Sequence, residues 1–295
     1  MDYNLIKHFP SFAKNRYDLI ICQDHWEGMA GYYTKKKFRT PYFVIIHRRI
    51  NDMQRVKGIS RILVYFALRY QRKVLLSANK VLTLIKSVSL TVEKFYLKYY
   101  LKTISDFPEI NLKEFVPFSE RKNTIALVSY WNEVKVPELY LNVFKKIKDF
   151  KFIMVGNRIS EAYWKEYTEK PAKDHLLSRV TLILELSDRE KNNAIGSSKF
   201  FLKFGKRENG PGYGSLDALR FGLTLIVNSE PGIVDDIKSY KVGFIVDDPK
   251  DTDRILRFIN EYNNESYNEL QAGIRQFINN HSWEKQCKLL MKGLK

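Results

Sequence analysis

A run of closely spaced glycines followed by a helical pattern is the segment of this chain best suited to chemistry. Gly210, Gly212 and Gly214 let bare backbone approach a ligand closely, and a short helical pattern begins near Ser215. The start of a helix presents unpaired N–H groups and a partial positive charge, which together suit a phosphate. The alternative is an ordinary glycine-rich loop, with Ser215 as the N-cap and Gly222 ending the helix.

Two carboxylates flank this segment. Glu208 and Asp217 stand nine positions apart and can bind hydroxyl groups. The segment resembles the donor-binding signature of the retaining glycosyltransferases of family four, in which two glutamates eight positions apart flank a Gly-Phe-Gly-type loop. The resemblance implies that Glu208 binds the sugar and Asp217 the ribose of a nucleotide-sugar donor. It also implies that the donor site is lined by five residues of this segment: Gly210, Gly212, Tyr213, Gly214 and Ser215.

A second segment, Ser129-Tyr-Trp-Asn-Glu-Val-Lys135, follows a predicted strand. It looks like the Gly-Arg-x-x-x-x-Lys-Gly element with which this family holds the diphosphate. Only Lys135 is retained, and Tyr130 stands in the place of the arginine, where its hydroxyl is a weaker phosphate donor. The resemblance implies that Lys135 stabilises the leaving diphosphate; the alternative is a surface lysine. Basic residues before the glycines can compensate for the missing arginine: Lys203, Lys206 and Arg207.

A histidine ends the second predicted strand. His47 closes the segment Pro41-Tyr-Phe-Val-Ile-Ile-His, at a position where this family often has histidine. The resemblance implies contact with the donor sugar or the acceptor hydroxyl, while the alternative is a structural histidine. Asp24 and His25, in the preceding predicted loop, form a second candidate pair. Because only 46 residues precede His47, we expect a first domain that is reduced relative to the family.

The sequence gives no reason to expect a metal or another cofactor. Asp251-x-Asp253 follows a late predicted strand, where we expect solvated capping residues rather than metal ligands. Cys22 and Cys287 are far apart and lack metal-site spacing, so both are expected to be buried thiols. The nucleotide sugar is therefore expected as a substrate, bound without metal.

Short apolar runs alternate with helical patterns, which is typical of parallel α/β sheets. We predict an α/β fold of two Rossmann-like domains with parallel sheets facing a cleft, the GT-B architecture, with the first domain reduced. The predicted parts are a basic acceptor-side domain over 1–112, a linker over 113–122, a nucleotide-sugar domain over 123–280 and a closing helix over 281–295. The predicted strands are Tyr17–Cys22, Tyr42–Ile46, Lys80–Leu84, Thr124–Ser129, Lys151–Val155, Val180–Leu184, Lys199–Lys203, Thr224–Asn228 and Gly243–Val246.

The chain is strongly basic, with a formal net charge of +17. Residues 1–120 hold 21 Lys/Arg against 10 Asp/Glu, and most of this excess lies between positions 34 and 73. Residues 48–76 contain a basic amphipathic helical pattern in which Phe66 and Tyr70 belong to the apolar stripe and Arg69 to the opposite side. Three interpretations stay open: a solvated surface helix, a contact with an anionic membrane, or non-specific contact with nucleic acid. Specific nucleic-acid binding is not expected, because no recognisable motif is present.

No run of about 18 apolar residues occurs, and the first ten residues carry charges where a signal sequence is apolar. We expect a soluble, cytoplasmic protein, peripheral on the inner membrane face if the basic helix binds lipid. The leading hypothesis is a retaining, metal-independent glycosyltransferase acting on a lipid-linked or saccharide acceptor. Two alternatives are a nucleotide-sugar epimerase-like enzyme on the same fold and a non-catalytic basic binding protein with a decayed donor site.

Overall fold

The computed structural model describes residues 16–46, 60–83, 100–102, 115–129, 137–156, 178–183, 186–205, 212–229 and 232–292. The chain divides into two compact units, one of Met1–Asp106 with Trp283–Lys295 and the other of Phe107–Ser282. The domain bounds and the linker inferred from sequence stay predictions.

The first unit is built on a parallel sheet. Its described residues form four strands in the order β1-β2-β3-β4, all parallel. They are β1 (Ile20–Gln23), β2 (Tyr42–Ile46), β3 (Lys80–Thr83) and β4 (Tyr100–Lys102). The helices are α1 (Asp24–Phe38) and α2 (Ser60–Ser77). The core is formed where β2, buried along its whole length, meets Val74 and Leu75 of α2. The sequence did not predict β4, and Asp24 begins α1 instead of lying in a loop.

The second unit is a doubly wound sheet. Its described strands run in the order β10-β9-β8-β5-β6-β7, and all neighbouring pairs are parallel. They are β5 (Lys122–Val128), β6 (Lys151–Val155), β7 (Val180–Ile183), β8 (Ser198–Lys203), β9 (Thr224–Asn228) and β10 (Gly243–Val246). The chain winds outward from β5 to β7 and then returns to β8 on the other side of β5. The strand order therefore reverses between β5 and β8, and at such a switch point open α/β sheets bind ligands beyond the carboxyl ends of the strands.

Helices alternate with these strands. They are α3 (Pro137–Lys146), α4 (Asp188–Gly196), α5 (Tyr213–Arg220), α6 (Val234–Tyr240), α7 (Thr252–Glu261) and α8 (Asn264–His281). A further helix, α9 (Trp283–Met291), belongs to the first unit. The strands read as nearly continuous apolar runs because helices cover the sheet, and buried aromatic side chains such as Phe144, Phe152 and Phe200 fill the core.

A buried arginine fastens the amino-terminal edge of this sheet. Arg121, which is 4% exposed, directly precedes β5. Its guanidinium donates to the carbonyl oxygens of Ser198 (2.8 Å), Gly196 (3.2 Å) and Phe221 (2.5 Å), and to the hydroxyl of Tyr267 (2.7 Å). Arg121 thus joins the beginnings of β5 and β8 to the end of α5 and to α8. It lies within the stretch that the sequence predicted as a linker.

Candidate functional site

The glycine segment ends in the turn that starts α5. Gly212 is the N-cap, with φ 72° and ψ 110°, a conformation that favours glycine. The helix begins at Tyr213, and the carbonyl of Gly212 accepts from the N–H of Ser215 at 2.9 Å and of Leu216 at 3.3 Å. The helix start was predicted to within two residues, whereas the reading of Ser215 as a cap is wrong: a glycine makes the turn, and the serine lies inside the first turn. Tyr213 and Gly214 are the first two residues of the helix, where backbone N–H groups have no acceptor within the helix and suit an anion.

Close packing places this helix start against the end of β5. A Cβ on Gly214 would lie 3.1 Å from the carbonyl oxygen of Val128 and 3.2 Å from Cζ of Phe201. Val128 is the last residue of β5 and Phe201 belongs to β8. Only a residue without a side chain lets the two N–H donors lie at the switch point of the sheet.

Ser215 is fully buried in this first turn. Its side chain is 0% exposed, and its hydroxyl has no hydrogen-bond partner among the described residues. A buried hydroxyl without a partner destabilises a fold by about 1–3 kcal/mol. The hydroxyl of Ser215 can therefore donate or accept a hydrogen bond where the start of α5 packs against the end of β5.

The second carboxylate of the signature is paired. Asp217 Oδ2 lies 2.6 Å from Nζ of Lys191 on α4, and the two side chains are only 17% and 20% exposed. The beginning of α4 is fixed by a capping box, in which Ser187 and Glu190 bond reciprocally to each other's backbone N–H. The side-chain hydrogen bond from Ser187 lowers the pKa of Glu190, and its backbone bond acts in the same direction. Lys191 could not be recognised from local patterns, because the pair spans 26 positions and two helices.

Two further side chains at this edge were missed from the sequence. Tyr140 on α3 and Asn228, the last residue of β9, bond to the backbone of Phe204 and Gly205, which follow β8. Phe204 is fully buried, whereas Tyr140 and Asn228 are 2% and 5% exposed. The chain is thus held by side chains just where it leaves the sheet toward the glycine segment.

Five of the predicted site residues lie outside the described residues: His47, Tyr130, Lys135, Glu208 and Gly210. The strands that precede two of these segments show where each segment begins. The segment with Tyr130 and Lys135 leaves from the end of β5, and the segment with Glu208 and Gly210 leaves after β8, the neighbouring parallel strand. Both segments therefore start at the switch point. The side chain of His25 is likewise outside the described residues.

The acidic turn after β10 is a capping cluster, as predicted. Asp251 is the N-cap of α7 and accepts from the N–H of Arg254 at 3.1 Å. Asp247 pairs with Arg254 at 3.0 Å, and Asp253 pairs with Lys146 at 2.7 Å. In the part of the chain that the structure describes, no group of three His, Cys, Asp or Glu side chains could hold a metal ion.

A surface of aromatic and basic side chains covers α2. Phe66 and Tyr70 are 56% and 44% exposed, whereas Val74 and Leu75 are buried. Two residues of the predicted apolar stripe are therefore exposed, and the helix packs through its carboxyl-terminal Val74 and Leu75. We call the exposed side the basic aromatic surface, and it consists of Tyr65, Phe66, Arg69, Tyr70, Arg72 and Lys73.

This surface continues onto α1. Tyr33 shares a side-chain hydrogen bond with Tyr70, and that bond raises the pKa of Tyr33. Lys73 Nζ lies 5.2 Å from the ring centroid of Tyr32. Exposed basic residues of α1, Lys36 and Lys37, extend the positive charge. Among the described residues, no helix has both the length and the apolar character to cross a membrane.

A doubly wound α/β unit, with a glycine turn and a helix start at its switch point, defines the class of proteins that bind phosphorylated ligands at the carboxyl edge of a parallel sheet. The chain belongs to the family of glycosyl transferases group 1, whose model matches residues 109–285. The family and the α/β fold expected from the glycine signature are thus confirmed, while retention and the reduced first domain stay predictions. No curated protein matches the sequence.

Solved structures agree with this assignment. Sucrose-phosphate synthase from Thermosynechococcus elongatus is similar with a TM-score of 0.74 and 17% identity, over 99% of this chain and 79% of that one. HepE from Anabaena, in complex with UDP, is similar with a TM-score of 0.75 and 13% identity, over 97% and 81% of the two chains. A glycosyltransferase from Rickettsia africae is similar with a TM-score of 0.76 and 16% identity, over 100% and 83%. The likeness establishes the fold, which is that of the GT-B glycosyltransferases.

Proposed function

We propose that this glycosyltransferase moves a sugar from a nucleotide-diphosphate sugar to an acceptor, with retention of configuration and without a metal ion. The observation that carries the proposal is the start of α5, where Gly214 lies against the end of β5 and the first backbone N–H groups have no acceptor within the helix. A diphosphate at this switch point would receive those hydrogen bonds together with the positive end of the helix dipole. The complex of HepE with UDP supports a nucleotide donor in this fold.

The described residues would hold the donor as follows. The backbone of Gly212, Tyr213 and Gly214 would bind the diphosphate, with Ser215 as an additional donor after a small movement. Asp217 would accept from the ribose hydroxyls, and its pairing with Lys191 keeps an uncompensated negative charge away from the diphosphate.

Residues outside the described part would complete the reaction. Lys135, with Tyr130 as a weaker second donor, would stabilise the negative charge that builds on the departing nucleotide diphosphate. Gly210 would let the loop approach the phosphates closely, while Glu208 would bind sugar hydroxyls and His47 the sugar or the acceptor hydroxyl. In this scheme, fixed cations and N–H groups supply the stabilisation that a divalent metal supplies in other enzymes.

Calorimetry and a transfer assay test the proposal. The full chain is titrated with UDP, UDP-glucose, GDP and ADP in the presence of EDTA, and one nucleotide is expected to bind and to raise the melting temperature. Transfer to a saccharide or lipid-linked acceptor is then followed by NMR, with the anomeric configuration expected to be retained. Interconversion of the donor sugar without an acceptor would favour the epimerase-like alternative. Absence of binding by every nucleotide would overturn the proposal and favour a decayed donor site.

We further propose that the acceptor is lipid-linked and that the basic aromatic surface rests on an anionic membrane. Exposed Tyr65 and Phe66 beside Arg69 and Lys73 combine amphipathic rings with positive charge, which suits the headgroup region of a bilayer. Each basic residue near such a surface contributes about 1 kcal/mol of attraction.

Vesicle sedimentation tests the surface. Wild type is expected to sediment with vesicles of anionic phosphatidylglycerol and not with neutral vesicles, and 0.5 M salt should weaken the binding. The Arg69→Gln/Arg72→Gln double variant should lose binding, whereas Lys148→Gln/Lys151→Gln removes the same charge from exposed positions in the second unit and should retain it. Equal loss of vesicle binding in both variants would show that net charge, and not this particular surface, causes the binding. If the protein binds RNA but not anionic vesicles, the partner of this surface is nucleic acid and not a membrane.

A further inference from the structure

The chain is held by an unusual set of contacts where it leaves β8. The last ladder pair of this strand with β9 joins Lys203 and Val227, so Phe204 and Gly205 lie beyond it. Tyr140 Oη lies 2.7 Å from both the carbonyl oxygen and the N–H of Phe204, donating to the first and accepting from the second. The side-chain amide of Asn228 accepts from the N–H of Gly205 at 3.1 Å and donates to its carbonyl at 2.9 Å.

Four consecutive backbone polar groups are therefore satisfied by two side chains. This matters because the segment is buried, where unpaired backbone groups are strongly unfavourable. Aromatic packing adds to the hydrogen bonds, since the rings of Tyr140 and Phe204 are stacked at 15° with centroids 5.3 Å apart. We call these contacts the loop clamp, consisting of Tyr140 and Asn228 on Phe204 and Gly205.

The clamp joins three elements of the site. Tyr140 stands in the first turn of α3, which begins two residues after Lys135. Asn228 ends β9, and Gly205 stands three residues before Glu208 and seven before Gly212. One tyrosine hydroxyl thus links the helix that follows the lysine segment to the strand that precedes the glycine segment.

We propose that Tyr140 and Asn228 are positioning residues that fix the point where the chain enters the glycine segment and thereby favour donor binding. The inference rests on the proposed function, because it concerns the same donor site. A segment whose beginning is fixed loses less conformational freedom when the donor binds. Neither clamp residue needs to touch the donor.

Conservative variants test this role. Tyr140→Phe retains the stacked ring and removes only the hydroxyl, and Asn228→Asp retains the acceptor for Gly205 N–H while losing the donor. The full-length proteins are compared for the dissociation constant of UDP and for kcat and KM with UDP-glucose. We expect Tyr140→Phe to weaken nucleotide binding or lower kcat/KM by about 10-fold or more. Asn228→Asp should also weaken binding, because a buried carboxylate oxygen would face the carbonyl oxygen of Gly205.

Tyr262→Phe is the matched control. Its hydroxyl accepts from Thr224 Oγ1 at 2.8 Å, so the same atom is removed from a hydrogen-bonded tyrosine of the same unit. Thr224 begins β9 and Asn228 ends it, which places the control at the opposite edge of the sheet. This variant is expected to lower the melting temperature about as much as Tyr140→Phe does while leaving UDP affinity unchanged.

The outcomes separate the two proposals. Failure of wild type to bind any nucleotide would refute the proposed function itself. An active wild type with unchanged affinity and turnover in both clamp variants would overturn the positioning role, as would equal functional loss in Tyr262→Phe. If Tyr140→Phe does not fold, Asn228→Asp and Asn228→Ala decide, because a positioning role predicts a graded loss of affinity across them.

Discussion

Lys191 Nζ lies 2.6 Å from Asp217 Oδ2, in a pair that is largely shielded from water. Because Asp217 is the proposed ribose ligand, the lysine would both orient its carboxylate and compensate its charge when a donor is bound. Lys191→Met should leave an unpaired carboxylate and weaken UDP binding by about 10-fold, equivalent to about 1.4 kcal/mol. Isothermal titration calorimetry measures the change.

A double-mutant cycle separates orientation from charge. Asp217→Asn in the Lys191→Met background removes the unpaired charge, so part of the affinity should return, with a coupling of about 1 kcal/mol. Strictly additive losses would show that the two residues act independently on the donor.

Adding a methyl group at Gly214 should loosen the helix start from the sheet. A Cβ there would be 3.1 Å from the carbonyl oxygen of Val128, a backbone atom that cannot swing away. Gly214→Ala is expected to weaken nucleotide affinity several-fold, and Gly214→Val more strongly. Gly196→Ala is the control, since its Cβ would meet the ring of Phe221 at 3.3 Å, away from the site. Affinity that is unchanged in Gly214→Val would argue against a diphosphate at this turn.

Arg121 should be a major contributor to the stability of the second unit. Arg121→Met leaves buried carbonyl oxygens without their donor, so the free energy of unfolding should fall by about 3 kcal/mol. Urea denaturation at constant m-value measures the loss.

Arg179→Met provides the comparison for this prediction. Arg179 donates to the carbonyls of Ile147 (2.7 Å) and Phe144 (2.8 Å) at the end of α3, in a partly exposed position. Its loss should be smaller, about 1 kcal/mol. If the free energy of unfolding falls equally in the two variants, the burial of Arg121 does not add to its contribution.

The two cysteines should differ sharply in reactivity. Burial raises the pKa of Cys22 to about 11, whereas Cys287 is partly exposed. At pH 8, three units below that pKa, about one Cys22 thiol in a thousand would be a thiolate, and its burial also blocks access. N-ethylmaleimide should therefore modify Cys287 first, with Cys22 reacting only after unfolding. Mass spectrometry of digested protein identifies the order, and early modification of Cys22 would contradict its burial.

Short apolar runs in the sequence were enough to predict the bounds of several strands. The bounds of β2, β6, β9 and β10 match the predicted strands, because parallel strands covered by helices read as short apolar runs. By contrast, β4 has only three residues, too few to show a period, and was missed.

The sequence locates features that lie in one segment and misses those that tertiary contacts build. The glycine spacing located the start of α5, although a positive φ at Gly212 rather than a serine cap makes the turn. Lys191, Tyr140 and Asn228 have no local signature, since each acts through a residue at least 23 positions away. Periodicity placed Phe66 on an apolar stripe, but it gives the spacing of a stripe and not which side of the helix meets the domain.

Arg121 gathers its hydrogen bonds at the edge where the strands begin, whereas the glycine turn lies at the edge where they end. The stabilising hydrogen bonds of Arg121 and the proposed donor site are thus about one strand length apart. Substitutions that retune donor preference can accumulate at one rim with little effect on the fastening at the other. Such a division makes the scaffold a good starting point for engineering new sugar specificity.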